Sequence, residues 1–293
     1  MKIFVLCFVL AVASAKRMNT VNTLAGDDRF STLVSLVKSA GLVDTLNGGN
    51  FTIFAPTNDA FKMVPADVLA MLQANTTLLT DVLLYHVLGG WAPSTVAAND
   101  LETTMANGKE ARVNVYTHNH KITIQGAVVI QPDLMCSNGI IHVISSVMMA
   151  PMDDVVSYVV ANSQFSTLLS LVQKAGLASA LQKDNLTLFA PTNDAFAKLT
   201  SQQVADITGD MGKLSAVLTY HVVGSTVYSA GLYDKEVVST LNTNDMLTVN
   251  LKTGVMINTA SVTAADIGVT NGVIHVIDTV LVPLNDPALT TVG

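Results

Sequence analysis

Residues 51–61 read Phe-Thr-Ile-Phe-Ala-Pro-Thr-Asn-Asp-Ala-Phe, and residues 186–196 read Leu-Thr-Leu-Phe-Ala-Pro-Thr-Asn-Asp-Ala-Phe. Nine of these eleven positions match, at an offset of 194 − 59 = 135 residues from Asp59 to Asp194. The same offset carries Phe30-Ser31-Thr32-Leu33 onto Phe165-Ser166-Thr167-Leu168, and Tyr85-His86-Val87 onto Tyr220-His221-Val222. A third block, Asn138-Gly139-Ile140-Ile141-His142-Val143-Ile144, recurs as Asn271-Gly272-Val273-Ile274-His275-Val276-Ile277 at an offset of 133. Solenoid repeats run about 20–50 residues per unit, whereas a period this long is the length of a domain. The chain therefore reads as two copies of one fold, expected over residues 18–152 and 153–286, with 287–293 as a C-terminal tail. Only Ala150 to Asp154 connects the copies, and no Pro- or Ser-rich spacer is present, so the two are expected to sit close together.

Within each copy the pattern moves from helix to strand. Phe30, Leu33, Val34 and Val37 follow the i, i+3, i+4, i+7 spacing of an amphipathic helix, as do Phe165, Leu168, Leu169 and Val172. Gly41 and Gly176 are placed to end those helices in a left-handed conformation. The segment Phe51 to Ala55 reads as a short strand stopped by Pro56, with Thr57 or Asn58 capping a helix that contains Ala60 and Phe61. Phe54, Phe61, Phe189 and Phe196 are expected in the core. Further helices are expected over Pro65 to Gln73 and from an Asn75-Thr76-Thr77 cap through Tyr85. Alternating residues in Arg112 to Tyr116 and Lys121 to Ile124 predict a hairpin, matched by Met246 to Asn250 and Val255 to Asn258. Ile140 to Val147 and Val273 to Val282 read as the closing strands.

The amino end carries a secretory signature: Lys2, an apolar run from Ile3 to Val12, then Ala13-Ser14-Ala15. Residues 1–15 are expected to be a signal peptide, and the mature protein to be secreted and extracellular. No later segment reads as a membrane span. The formal net charge is −7, with no basic patch, so nucleic acid is not an expected partner. Charged residues make up only 13% of the chain, which leaves a weakly charged surface suited to contact with other proteins, further copies of this chain included. Cys7 would leave with the signal, so Cys136 stands alone in the mature chain. Its counterpart is Val269, an apolar position that suits a buried thiol; a disulfide between chains is the alternative.

The Thr-Asn-Asp-Ala-Phe box, the Tyr-His pair at a helix end and the Asn-Gly-x-Ile-His-Val-Ile strand, in that order and twice, resemble the fasciclin-type domain family. That resemblance implies an α+β fold, each copy a small β-sandwich wedge with helices packed around it. It also implies a secreted adhesion or matrix role, as in periostin-like and keratoepithelin-like proteins, with an integrin-like cell-surface receptor or matrix proteins as partners. No enzyme activity and no cofactor are implied.

Two partner-binding elements follow from the resemblance. Tyr85-His86 and Tyr220-His221 match a Tyr-His recognition element set among apolar residues; their other role is to satisfy buried polar groups at a helix end. Asp133-Leu134, with Asp266-Ile267 in the second copy, is similar to an Asp-Ile adhesion motif. An Asp on an exposed loop can complete a receptor-bound divalent cation, which prefers oxygen ligands; its other role is an Asx-type turn. Arg-Gly-Asp is absent.

Asn50, Asn75 and Asn185 head glycosylation sequons. His118-Asn119-His120 has the H-x-H spacing of metal ligands but no carboxylate or Cys nearby in sequence, so no metal site is expected. No nucleophile elbow, P-loop, dinucleotide fingerprint, His-Glu-x-x-His or Cys-x-x-Cys is present, which argues against a hydrolase or an oxidoreductase. The alternative to adhesion is a soluble extracellular carrier with an apolar groove.

Overall fold

The computed structural model describes residues 17–283; the expected signal peptide and the tail lie outside them. Among the described residues each copy holds seven strands. In the first these are β1 (Phe51–Pro56), β2 (Val87–Gly89), β3 (Leu101–Thr104), β4 (Glu110–Tyr116), β5 (Lys121–Ile124), β6 (Ala127–Met135) and β7 (Gly139–Ile144). The second repeats them as β8 (Leu186–Pro191), β9 (Val222–Val223), β10 (Val237–Ser239), β11 (Met246–Asn250), β12 (Met256–Ile257), β13 (Ala260–Val269) and β14 (Gly272–Ile277). The ladder orders are β2-β1-β7-β6-β5-β4-β3 and β9-β8-β14-β13-β12-β11-β10, so the two copies share one topology.

The ladder rolls up. Six steps at about 4.8 Å would place β2 and β3 roughly 29 Å apart in a flat sheet. Instead, the Ala106 amide just after β3 donates to Val87 O of β2 at 2.8 Å. Leu241 N donates to Val222 O at the same distance in the second copy. The bend sits in β6, where pairing with β7 shifts register between Val129 and Gln131 and again between Gln131 and Leu134. Bulges of this kind kink the bulged strand. Phe54, Val113, Ile124, Ala127 and Ile144 face the inside of the roll. The helices cover the outer face of β1 and β7 and bury Leu24, Phe30, Leu33, Leu79 and Val82 against Ile53 and Ile141.

The repeated boxes have local reasons. Thr57 is the helix cap, its hydroxyl accepting from Ala60 N. Asn58 instead reaches back to the start of the helix Ser31–Ser39: Oδ1 accepts from Thr32 N at 3.0 Å and Nδ2 donates to Asp28 O, in the turn before it, at 2.8 Å. Asn193 does the same with Thr167 and Ser163. Pro65 precedes the helix Ala66–Ala74, and Asn75 caps Thr76–Leu84. Gly139 is required because a Cβ there would stand 1.9 Å from Phe51 O, and Gly272 meets Leu186 O in the same way. Gly41 and Gly176 adopt the expected left-handed conformation, at φ 68° and 67°. Phe54, Phe61 and Phe189 are buried; Phe196 is only partly buried, packed on the edge of its core. Cys136 is buried, with Sγ 3.3 Å from Thr23 Oγ1, out of reach of another chain.

The hairpin β4–β5 docks on the second copy. Asn114 Nδ2 donates to Thr226 O at 3.2 Å, Asn119 Nδ2 to Ala230 O at 3.1 Å, and Tyr228 N to the Tyr116 hydroxyl at 3.1 Å. His118 lies against the Tyr233 ring at 4.6 Å. Two glycines make the approach possible. A Cβ on Gly231 would be 2.0 Å from the Tyr116 ring, and one on Gly126 would be 2.7 Å from the buried Tyr228 ring. In the first copy the position of Gly231 is held by Val96 and that of Tyr228 by Pro93. The first copy thus lacks the glycine on which the Tyr116 ring rests in this joint. Gly231→Val should separate the copies: small-angle scattering should report a larger radius of gyration while each copy keeps its own cooperative melt. An unchanged scattering curve would contradict this account of the joint.

Candidate functional site

The Tyr-His pairs face inward. Tyr85 ends the helix Thr76–Leu84, and its hydroxyl donates to Glu110 O at 2.8 Å, pinning that helix to β4. Burial pushes its phenol well above the ordinary tyrosine range. His86 donates from Nδ1 to Val82 O at 2.8 Å and accepts at Nε2 from Met148 N at 2.9 Å. These partners fix a neutral ring with the proton on Nδ1. Tyr220 donates to Met246 O at 2.8 Å; His221 bonds Val217 O at 2.7 Å and accepts from Leu281 N at 2.9 Å. All four side chains are buried, which corrects their placement as partner contacts. Each pair is an internal strut joining a helix end to the sheet and to the segment after its last strand.

Asp133 and Asp266 are only partly buried. Neither stands on a free loop. Each sits at the second bulge of its strand, at φ 59° and 62°, a region that Asp tolerates better than most residues. The Asp133 carboxylate accepts from Ser94 N at 2.8 Å and from the Ser94 hydroxyl, and Asp266 holds Ser229 through the same two bonds. Burial pushes the Asp133 carboxyl up, but the two Ser94 bonds outweigh it and leave it below its usual range. The amide of Asp133 donates to His142 Nδ1 at 3.2 Å, and His142 Nε2 donates to Ala92 O at 2.9 Å. His275 links Asp266 N to Val227 O in the second copy. Leu134 and Ile267 pack against the helix-side cores, partly buried. The sequence-derived acid thus anchors the loop 91–97 while staying partly exposed.

That loop and its counterpart differ in what lies over them. In the second copy, residues 226–233 lie under the β4–β5 hairpin. In the first copy nothing among the described residues covers the equivalent face. Trp91 is 44% exposed, Val96 58% and Leu101 41%. Sequence reading missed this face. The available signal was the lack of any second-copy counterpart for His118-Asn119-His120, which marks a contact made once.

Asn50 and Asn75 are exposed; Asn185 is half-buried, with its side-chain oxygen turned inward. Asn75 Oδ1 also accepts from Leu78 N as a helix cap. Among the described residues no three His, Cys, Asp or Glu side chains converge as metal ligands. Among those residues, too, no single helix is long and apolar enough to cross a membrane.

Comparison with known proteins places these features. The family model described as the fasciclin domain matches twice, over residues 28–150 and 163–283. The rabbit (Oryctolagus cuniculus) transforming growth factor-beta-induced protein ig-h3 is 30% identical over 250 residues, which covers 80% of this chain and 35% of that protein. Human periostin is 30% identical over 250 residues, covering 80% of this chain and 28% of periostin. The chain thus spans about a third of the length of these curated relatives. Bacterial proteins from Synechocystis and Mycobacterium are also similar over part of the chain. Among solved structures, a domain pair from the insect cell adhesion molecule fasciclin I aligns with a TM-score of 0.42 at 18% identity, over 88% of this chain and 97% of that one.

The struts make folding sensitive to acid. Burial lowers His86 and His221 from 6.5 to about 4. The unfolded chain takes up these protons near pH 6.5 and the folded chain does not, so their contribution is complete above pH 6.5 and is lost as pH falls toward 4. At 1.36 kcal/mol per unit, a shift of this size corresponds to roughly 3 kcal/mol for each ring. Denaturant melts between pH 7 and 4 should show that loss, and His86→Phe should remove the first copy's share of the pH slope. A wild-type slope near zero would show that the rings are not held neutral.

Proposed function

The chain belongs to the fasciclin domain family, and from that premise we propose that it is a secreted cell-adhesion or extracellular-matrix protein acting through protein–protein contacts, without enzymatic chemistry. Its partners on this reading are an integrin-like cell-surface receptor or matrix proteins. Residues 1–15 support export, and the exposed Asn50 and Asn75 are the glycosylation sites that export would use.

The observation that carries the reading is the asymmetry between the copies. One face, built the same way in both, already serves as a protein-contact surface in the second copy, where Tyr116, His118 and Asn119 cover it. In the first copy no described residue covers the same face, which carries the exposed Trp91, Val96 and Leu101. Aromatic and aliphatic side chains at the centre of a patch are the usual anchors of protein contacts. Asp133 acts on this face indirectly, by holding Ser94.

Cells from the source tissue should attach to the immobilised protein. The folded Trp91→Ala, Val96→Asp double variant should lose attachment several-fold. Undiminished attachment by that variant would move the contact elsewhere, and no attachment to the folded wild-type protein would contradict the adhesive reading itself.

A further inference from the structure

Beneath the loop 91–97 the first copy holds an apolar cavity of about 200 Å³ inside the rolled sheet. Its walls include Phe54 of β1, Val113 of β4, Ile122 and Ile124 of β5 and Val129 of β6, and its lip includes Val96 and Leu101. No charged residue lines it. Two of its polar wall residues are already committed: the Ser94 hydroxyl donates to Asp133, and both His142 ring nitrogens are bonded. A guest therefore finds apolar surface and little that recognises a charged or strongly hydrogen-bonding group. For scale, an apolar cavity of about 150 Å³ stays dry and accepts benzene.

The second copy explains the cavity by filling its own. Ala92 and Val227 are equivalent, because each amide donates to the hydroxyl of the matched Thr52 or Thr187 and each carbonyl accepts from the matched His142 or His275. Ala97 and Leu232 are equivalent, because each follows the short 3₁₀ turn opened by Ser94 or Ser229. Leu232 is buried with Phe189, Val249 and Ile257. The second copy thus carries Val and Leu where the first carries two alanines, and the added side-chain carbons occupy the space that stays open in the first. Its Val249 and Phe189 are correspondingly less exposed, at 1% and 2%, than Val113 and Phe54, at 8% and 7%.

We propose that the first-copy cavity is a binding site for a free, small, neutral hydrocarbon ligand of about one aromatic ring in size. The site goes beyond the adhesive reading and locates an apolar pocket that adhesion does not require. The ligand enters past Val96 and Leu101, and its binding energy comes from apolar surface removed from water, so it follows size and hydrophobicity rather than charge.

The test is a titration of the full chain with benzene, followed by methyl NMR. The Val113, Ile122, Ile124 and Val129 methyls should shift saturably, while the Val249 and Ile257 methyls of the second copy stay in place. Ala97→Leu, which installs the second copy's own side chain, should abolish the shifts; Ala92→Val should weaken them and serves where the first variant does not fold. Retained shifts in both folded variants, non-saturable shifts, or equal shifts in the two copies would overturn the proposal. Sodium hexadecanoate is the second arm. If it shifts these methyls and benzene does not, the site takes a lipid chain and the free-ligand proposal fails.

Discussion

A buried histidine bonded at both nitrogens holds the loop that each copy uses differently, exposed in the first and docked in the second. His142 accepts from the Asp133 amide and donates to Ala92 O, while the Asp133 carboxylate takes both donors of Ser94. Buried polar groups must find partners, and an unpaired one costs about 1–3 kcal/mol. Removing any member of this knot orphans another. The bulge in β6 supplies the geometry, because only there does the backbone turn Asp133 toward the loop. The bulge, the roll of the sheet and the loop position are therefore one constraint, and the second copy obeys it through His275, Asp266 and Ser229.

The knot fixes where the loop is and leaves open what it does. In the second copy Gly231 lets the Tyr116 ring lie directly on the backbone, and Tyr228 fills the joint. In the first copy Val96 and Pro93 occupy those positions, and among the described residues the apolar face there has no cover. Behind the loop, Leu232 completes one core while Ala97 leaves the other open. A few side-chain differences on a shared frame thus give one copy an internal joint and the other an outward-facing surface with a cavity below it.

Legibility in the sequence follows the range of the interaction. The Thr-Asn-Asp-Ala-Phe box is readable because a cap, a strand stop and a buried aromatic act within a few residues, although Asn58 serves the neighbouring helix rather than the cap. The left-handed ends at Gly41 and Gly176 are readable for the same reason. Strand β6 was missed although Val128, Val129 and Ile130 suit a strand, because two register shifts break the alternation that marks one. Asp133 read as a loop residue because a bulge and an Asx turn favour the same residue type. The Tyr-His pair read as a contact element until its partners, 25 and 62 residues away in sequence, showed it to be internal. The joint depends on residues that occur in one copy only, and a repeat signal is blind to them.

The claim that the carboxylate of the knot positions the first-copy loop is tested most directly by amide hydrogen exchange in Asp133→Gly. Glycine tolerates the left-handed backbone at this bulge and removes the side chain with its carboxylate. The account predicts faster exchange across residues 92–97, led by the Ser94 amide, with residues 227–232 unchanged. Wild-type protection at Ser94 in the folded variant would contradict it.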